Sequence, residues 1–212
     1  MASRSVLKNR ARKIIAALAA AYPEVECELA FRNAFEILVA TILSAQCTDK
    51  KVNQATPALF RKFPTPSKMA QATPAQIEPL VHSLGLFKNK AKNLIAAARM
   101  LTNEFNGEIP ANMEELVRLP GVGRKTANCV LVNAFHQPGI MCDTHCCRVS
   151  KRLGLHDLDD PVKIEAALAE LLPRETWGDF SHRIIIHGRR VCHSRKPECE
   201  ICPLKKLCEY YH

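Results

Sequence analysis

The chain has 212 residues, enough for one or two domains, and 47% of them are hydrophobic against 24% charged. That composition builds a real core and excludes disorder, collagen-like repeats and low-complexity scaffolding. No apolar run reaches the roughly eighteen residues of a membrane span, the longest near the start being Ile14 to Tyr22. Thirty Lys and Arg against twenty-one Asp and Glu give a net charge of +9 and a pI near 9.1, which favours a polyanionic partner, nucleic acid first and anionic membrane second.

In chain order, Arg4, Lys8, Arg10, Arg12 and Lys13 precede the apolar stretch IIAALAAAY. The layout faintly resembles a secretory leader, but the apolar part is alanine-rich and weak, and it reads better as an amphipathic helix. Asn33 followed by Glu36 has the form of a capping box and opens AFEILVATILSA, which reads as a buried helix. Apolar residues at 91, 94, 95, 98, 101 and 105 follow helical spacing, with Lys88, Lys90, Lys92 and Arg99 marking the other side. Prolines punctuate segments of helix length, no sustained period-two alternation occurs, and Asn106-Gly107 follows a helix where Gly serves as a stop. The chain therefore reads as all-α. No Gly/Ser-rich linker divides it.

Leu119-Pro120-Gly121-Val122-Gly123 lies between a helical stretch starting at Asn112 and one running through Phe135. Two glycines permit a tight turn and leave N–H groups at the positive start of the next helix, a site for phosphate. An ordinary helix–turn–helix corner is the alternative, and the +9 charge tips the reading toward phosphate. Arg124 and Lys125 come next, where the positive helix end disfavours an ammonium and favours a nucleophilic free amine. A solvated or phosphate-contacting lysine is the commoner role at such a place. Asp143 stands eighteen residues further on, in Cys142-Asp143-Thr144-His145, and such an Asp is usually a helix N-cap.

Ten cysteines are too thinly spread for a stapled mini-scaffold, and the scattered ones read as small buried hydrophobes in a reducing compartment. Four others are different. Cys192, Cys199, Cys202 and Cys208 have the spacing C-x6-C-x2-C-x5-C, and four thiolates within so short a stretch can converge on one metal centre. Zinc and an iron–sulfur cluster both accept such a set. Arg195 and Lys196 lie in the first intervening loop, placed to meet a phosphate backbone.

Together these motifs resemble the endonuclease III family, bifunctional DNA glycosylases of the helix–hairpin–helix superfamily. LPGVGRKTANCVL, CDTH eighteen residues after the lysine, and the cysteine set carry the likeness. ILSAQCTDKKVN at 42–53 and LGLFKNKAKNL at 84–94 extend it over nearly the whole chain. The resemblance implies an all-α, two-lobed fold: a six-helix lobe over residues 27–137, with the helix–hairpin–helix at about 112–136, and a second lobe from residues 1–26 with 138–212. The second lobe would hold a 4Fe–4S cluster in its 192–208 loop, and a site would lie in the cleft between lobes.

The resemblance also implies roles. Lys125 becomes the nucleophile that attacks C1′ of an extruded nucleotide and then nicks the strand 3′ to the abasic site by β-elimination. Asp143 becomes the catalytic carboxylate. Gln46 fills the gap left by the extruded nucleotide, Leu86 is its companion wedge, and Gly121, Val122 and Gly123 offer backbone to phosphate. The implied substrate is double-stranded DNA bearing an oxidised pyrimidine, such as thymine glycol, or an abasic site. The implied state is a cytoplasmic, nucleoid-associated bacterial monomer with no membrane attachment. Cys142 departs from the family's usual aliphatic residue, and Cys146-Cys147 follow the DTH; both read as packing changes. A monofunctional adenine-type glycosylase typically lacks a lysine at position 125 and carries a further C-terminal domain, and a non-enzymatic DNA-binding iron–sulfur protein would not need both Lys125 and Asp143.

Overall fold

The computed structural model of the chain describes residues 3–211. Among these residues all regular structure is helical, as the spacing of apolar residues predicts. The α-helices are α1 (Arg4–Ala21), α2 (Ala34–Leu43), α3 (Asp49–Lys62), α4 (Pro66–Ala70), α5 (Pro74–Val81) and α6 (Phe87–Glu104), followed by α7 (Met113–Leu116), α8 (Arg124–Phe135), α9 (Thr144–Arg152), α10 (Pro161–Leu171) and α11 (Trp177–Arg190). Short 3₁₀ turns occupy His82–Leu84, Arg174–Thr176, Cys199–Ile201 and Lys205–Leu207. The chain divides into two compact units, Cys27–Gln137, and Met1–Glu26 with Pro138–His212.

In the Cys27–Gln137 unit, α2 is buried from Phe35 to Leu43 and packs on α8, while α6 packs on α4 and α5. The start of α2 departs from a full capping box. Asn33 Oδ1 accepts the Glu36 N–H at 3.0 Å, but the Glu36 carboxylate turns to the Arg32 N–H at 2.8 Å and to the Arg32 guanidinium. Glu36 is itself buried, and an arginine satisfies a buried carboxylate better than one amide can. Along α6 the apolar positions Ala91, Leu94, Ile95, Ala98 and Leu101 are buried as their spacing requires. Lys90 breaks the pattern. It is 4% exposed rather than on the wet side, because the turn ending at Leu84 supplies its Nζ with a carbonyl at 2.7 Å in place of water.

The other unit draws its core from both ends of the chain. Ala11, Ile14 and Leu18 of α1, at i, i+3 and i+7, pack in one cluster with Val149 of α9, Leu168 of α10, and Phe180 and Ile184 of α11. Each large aliphatic side chain removed from water there stabilises the fold by about 2 kcal/mol. Cys142 and Cys146 lie in the same cluster, packed as hydrophobes of small size.

Candidate active site and metal centre

The glycine turn ahead of α8 has two glycines for two different reasons. Gly121 has φ +82°, and a Cβ there would come within 3.0 Å of the Asn93 side chain. Both the backbone and the packing within the unit require glycine at that position. Gly123 is in ordinary extended backbone, φ −98° and ψ 176°, and a Cβ there would meet nothing within 4 Å. The protein itself makes no demand for glycine at 123. Gly123 is the N-cap of α8 and supplies no side-chain cap, so the first-turn donors have no intrahelical acceptors and stand at the positive end of the helix dipole.

Lys125 is half-buried in the first turn of this helix. One turn further on is Cys129, 4% exposed, with Asn133 Nδ2 donating toward its sulfur at 3.5 Å and Thr41 Oγ1 at 3.4 Å. The Cys27 thiol donates to the same sulfur; that bond and the nearby Lys125 charge hold Cys129 below the usual thiol range, while Cys27 is pushed up. Cys27 and Cys129 are about a hundred residues apart, so spacing in the sequence carries no sign of the pair. Gln46 and Leu86 belong to this unit too. Both are exposed, Leu86 by 55%, and both have left-handed backbone, with φ 54° and 46°, a conformation that costs an ordinary residue about 1 kcal/mol or more.

Asp143, in the other unit, is half-buried and forms the N-cap of α9. Its Oδ1 accepts the Cys146 N–H at 2.7 Å, and extended backbone aims the carboxylate across the helix start. The three neighbouring cysteines form a chain of thiol hydrogen bonds, Cys147 to Cys142 and Cys142 to Cys146, which pushes Cys147 and Cys142 upward and keeps them protonated. Beside them, burial lowers His145 below its ordinary value.

The four C-terminal cysteines converge. Cys202 is close enough to Cys192, Cys208 and Cys199 to feel their charges. All four line one small cavity, and all four are free thiols. Among the described residues no three His, Cys, Asp or Glu side chains close on a single ion-sized point; the sulfurs instead surround a space. Donors are aimed at them. Arg152 Nη1 reaches Cys192 Sγ at 3.2 Å, and His187 Nε2 lies 3.6 Å from Cys202 Sγ. Tyr22 lies 2.9 Å from His187 Nδ1; with its O–H donating there, the ring proton is on Nε2, facing the sulfur. Burial brings His187 down to about 4, so the ring is neutral. Four thiols, a shared cavity and N–H donors toward sulfur suit an iron–sulfur cluster.

Arginines of α9 support this loop, and reading the sequence for ligands alone passes over them. Arg148 Nη2 holds Gly188 O at 3.0 Å and Cys192 O at 2.9 Å. Arg152 holds His193 O at 2.7 Å and Ser194 O at 3.0 Å. Their i, i+4 spacing just after CDTH was the available signal. Arg195 and Lys196 are exposed on the same loop, with Lys196 in left-handed backbone at φ 53°.

Comparison with known proteins identifies the class. Residues 39–174 match the HhH-GPD superfamily of base excision DNA repair proteins, and residues 192–208 match the iron–sulfur binding domain of endonuclease III. The chain belongs to the HhH-GPD superfamily. Within it, the chain is 50% identical to endonuclease III of Synechocystis sp. over 95% of this chain and 92% of that protein, and 45% identical to the Bacillus subtilis protein over 88% and 86%. Among solved structures, a trapped covalent endonuclease III–DNA intermediate matches with TM-score 0.93 and 42% identity over 100% of this chain and 98% of that one. A non-covalent endonuclease III–DNA complex matches with TM-score 0.92 and 42% identity over 100% and 97%. The chain is a bifunctional base excision repair enzyme, a DNA glycosylase and abasic-site lyase, with a 4Fe–4S cluster as cofactor.

Proposed function

We propose that Lys125 is the nucleophile of this enzyme and Asp143 its catalytic carboxylate, acting on double-stranded DNA that carries an oxidised pyrimidine, such as thymine glycol, or an abasic site. One observation carries the reading: Lys125 stands in the first turn of a helix with no side-chain cap, behind a glycine whose missing side chain nothing inside the protein accounts for. Gly121, Val122 and Gly123 offer this turn to a phosphate, whose close approach explains Gly123. The Lys125 amine, as free base, attacks C1′ of the extruded nucleotide; the C1′–N bond breaks and the base leaves with its electron pair and takes up a proton. Opening of the sugar ring gives an imine between Lys125 and C1′. Loss of a C2′ proton expels the 3′ phosphate, and water releases the lysine.

The Asp143 charge stabilises the positive sugar that develops as the base departs. Its role as N-cap fixes the carboxylate in place for that work. Gln46 and Leu86, exposed and locked in left-handed backbone, serve as wedges that occupy the space the nucleotide vacates. In the unit formed by residues 1–26 with 138–212, Cys192, Cys199, Cys202 and Cys208 would hold the cluster, and the loop so fixed would present Arg195 and Lys196 to phosphates. No helix among the described residues is long and apolar enough to cross a membrane; we read the protein as a cytoplasmic monomer working on DNA, and cysteines outside disulfides accord with the reducing compartment.

The test is covalent trapping. Borohydride reduces an imine to a stable amine, so wild-type enzyme mixed with an abasic-site duplex becomes permanently joined to the strand. Lys125→Gln should abolish both joining and nicking while binding to the duplex persists. Trapping at the wild-type level by Lys125→Gln places the nucleophile elsewhere.

A further inference from the structure

We propose that Lys90 is a positioning residue that fixes the turn before α6, holding Leu86 in the conformation needed to open a duplex. This rests on the reading of Gln46 and Leu86 as wedges. Leu86 has φ 46° and follows Gly85 at φ 64°, with no side-chain cap at the start of α6. Gly85 takes its positive φ freely, but a leucine in left-handed backbone at an exposed tip relaxes to a cheaper geometry unless something fixes it. Lys90 grips both sides of that tip. Its backbone N–H donates to Leu86 O at 3.0 Å, and its Nζ donates to Leu84 O at 2.7 Å. The carbonyls on either side of Gly85 are thereby fixed by one side chain and its own main chain.

The other proposed wedge, Gln46, lies in a loop of its own. That loop is a tight turn in which the Cys47 N–H donates to Ser44 O at 3.0 Å and Gln46 is held at φ 54°. A lysine that is 4% exposed is an expensive residue to retain for solubility or for surface charge. Burial disfavours its charged form, and a carbonyl acceptor offsets only part of that cost. The return is rigidity at the exposed tip that carries Leu86. Rigid wedges matter when a base pair must be opened, and matter little when no pair exists.

The proposal predicts a split between two assays. Lys90→Met keeps the volume and removes the bond to Leu84 O, and Lys90→Gln keeps a donor on a shorter arm. Single-turnover base release from a thymine-glycol duplex should fall about ten- to a hundredfold in Lys90→Met and less in Lys90→Gln. Borohydride trapping on a single-stranded abasic oligonucleotide, which has no pair to open, should stay within about twofold of wild type. 2-Aminopurine placed opposite the lesion should lose the rise in fluorescence that reports its unstacking on binding. Retained trapping also shows that the variants are folded. Equal loss in both assays, or no loss in either, overturns the proposal. Gln46→Ala and Leu86→Ala separate the two levels: if neither slows duplex excision, the wedge reading fails and takes this proposal with it. If both slow it and Lys90→Met does not, the wedge reading stands and Lys90 has no part in it.

Discussion

Asp143 has two duties, and a pair of substitutions separates them. As the N-cap of α9 its Oδ1 accepts the Cys146 N–H at 2.7 Å; as the proposed catalytic carboxylate it supplies charge. Asn keeps the acceptor and is about as good an N-cap as Asp, losing only the charge–dipole attraction, about 0.5 kcal/mol. Ala loses both the bond and the attraction, about 1–2 kcal/mol. For a unit of about a hundred residues, 1 kcal/mol moves the melting temperature by roughly 4–8 °C, so Asp143→Ala should melt several degrees lower and Asp143→Asn only a few. The chemistry should order the variants differently. Removing a charge that stabilises the transition state costs about 3–4 kcal/mol, or 10²–10³ in rate, and both variants lose it. Differential scanning calorimetry and single-turnover base release on a thymine-glycol duplex read the two effects. Wild-type release by Asp143→Asn would remove the residue from the chemistry. Equal melting losses in the two variants would sink the capping argument.

Gly123→Ala should melt within a few degrees of wild type, because its Cβ enters open space and the poorer N-cap is offset by a stiffer unfolded chain, yet bind abasic-site DNA at least about tenfold more weakly if, as proposed, a phosphate takes that space. Gly121→Ala should instead destabilise by about 1–3 kcal/mol through its positive φ and its contact with Asn93. Cys202→Ser should yield little folded protein, and what is recovered should lack the brown colour and the roughly four irons per chain of wild type; normal iron content would remove Cys202 from the ligand set. His156 gives a pH dependence. Its Nδ1 accepts the Leu158 N–H at 3.2 Å and its Nε2 lies 2.7 Å from Ser150 Oγ, whose own proton goes to Cys146 O. Burial lowers this histidine below the ordinary 6.5, so the unfolded chain takes up its proton first as pH falls. The stability it contributes is complete above 6.5 and is lost progressively below. Chemical unfolding from pH 8 to 5 should show a loss at acid pH that is reduced in His156→Gln; identical profiles would refute it.

The helices and the local chemistry of the chain are legible in the sequence because both depend on near neighbours. The i, i+3, i+7 stripe of α1, the Asp before α9, the glycine turn before Lys125 and the four clustered cysteines are all local patterns, and the structure has a helix, a cap, a turn and a shared cavity at those places. Lys90 shows where such reading stops. Among Lys88, Lys92 and Arg99 it looks like one more solvated cation, and only the carbonyl of Leu84, from the turn before its own helix, makes its burial tolerable. Glu36 is similar: a capping box was the local solution, and the arginine at position 32 offered a stronger one. The Cys27–Cys129 contact and the grip of Arg148 and Arg152 on the cysteine loop join distant segments, and local periodicity and spacing carry no sign of pairings at that range.

The core shared by α1 with α9, α10 and α11 has a consequence for how the protein is made. A ribosome delivers α1 first and its packing partners last, with the whole of Cys27–Gln137 in between. The intervening unit can collapse while synthesis continues. Throughout that time Ile14 and Leu18 have no native surface to cover them, and the cysteine loop, which follows α11, emerges later still. Cluster insertion and the docking of α1 are therefore late events, and until they occur the apolar stripe of α1 and four bare thiols are both uncovered. Helping factors that shield that stripe, or that deliver iron and sulfide promptly to the cysteine loop, should raise the yield of active enzyme.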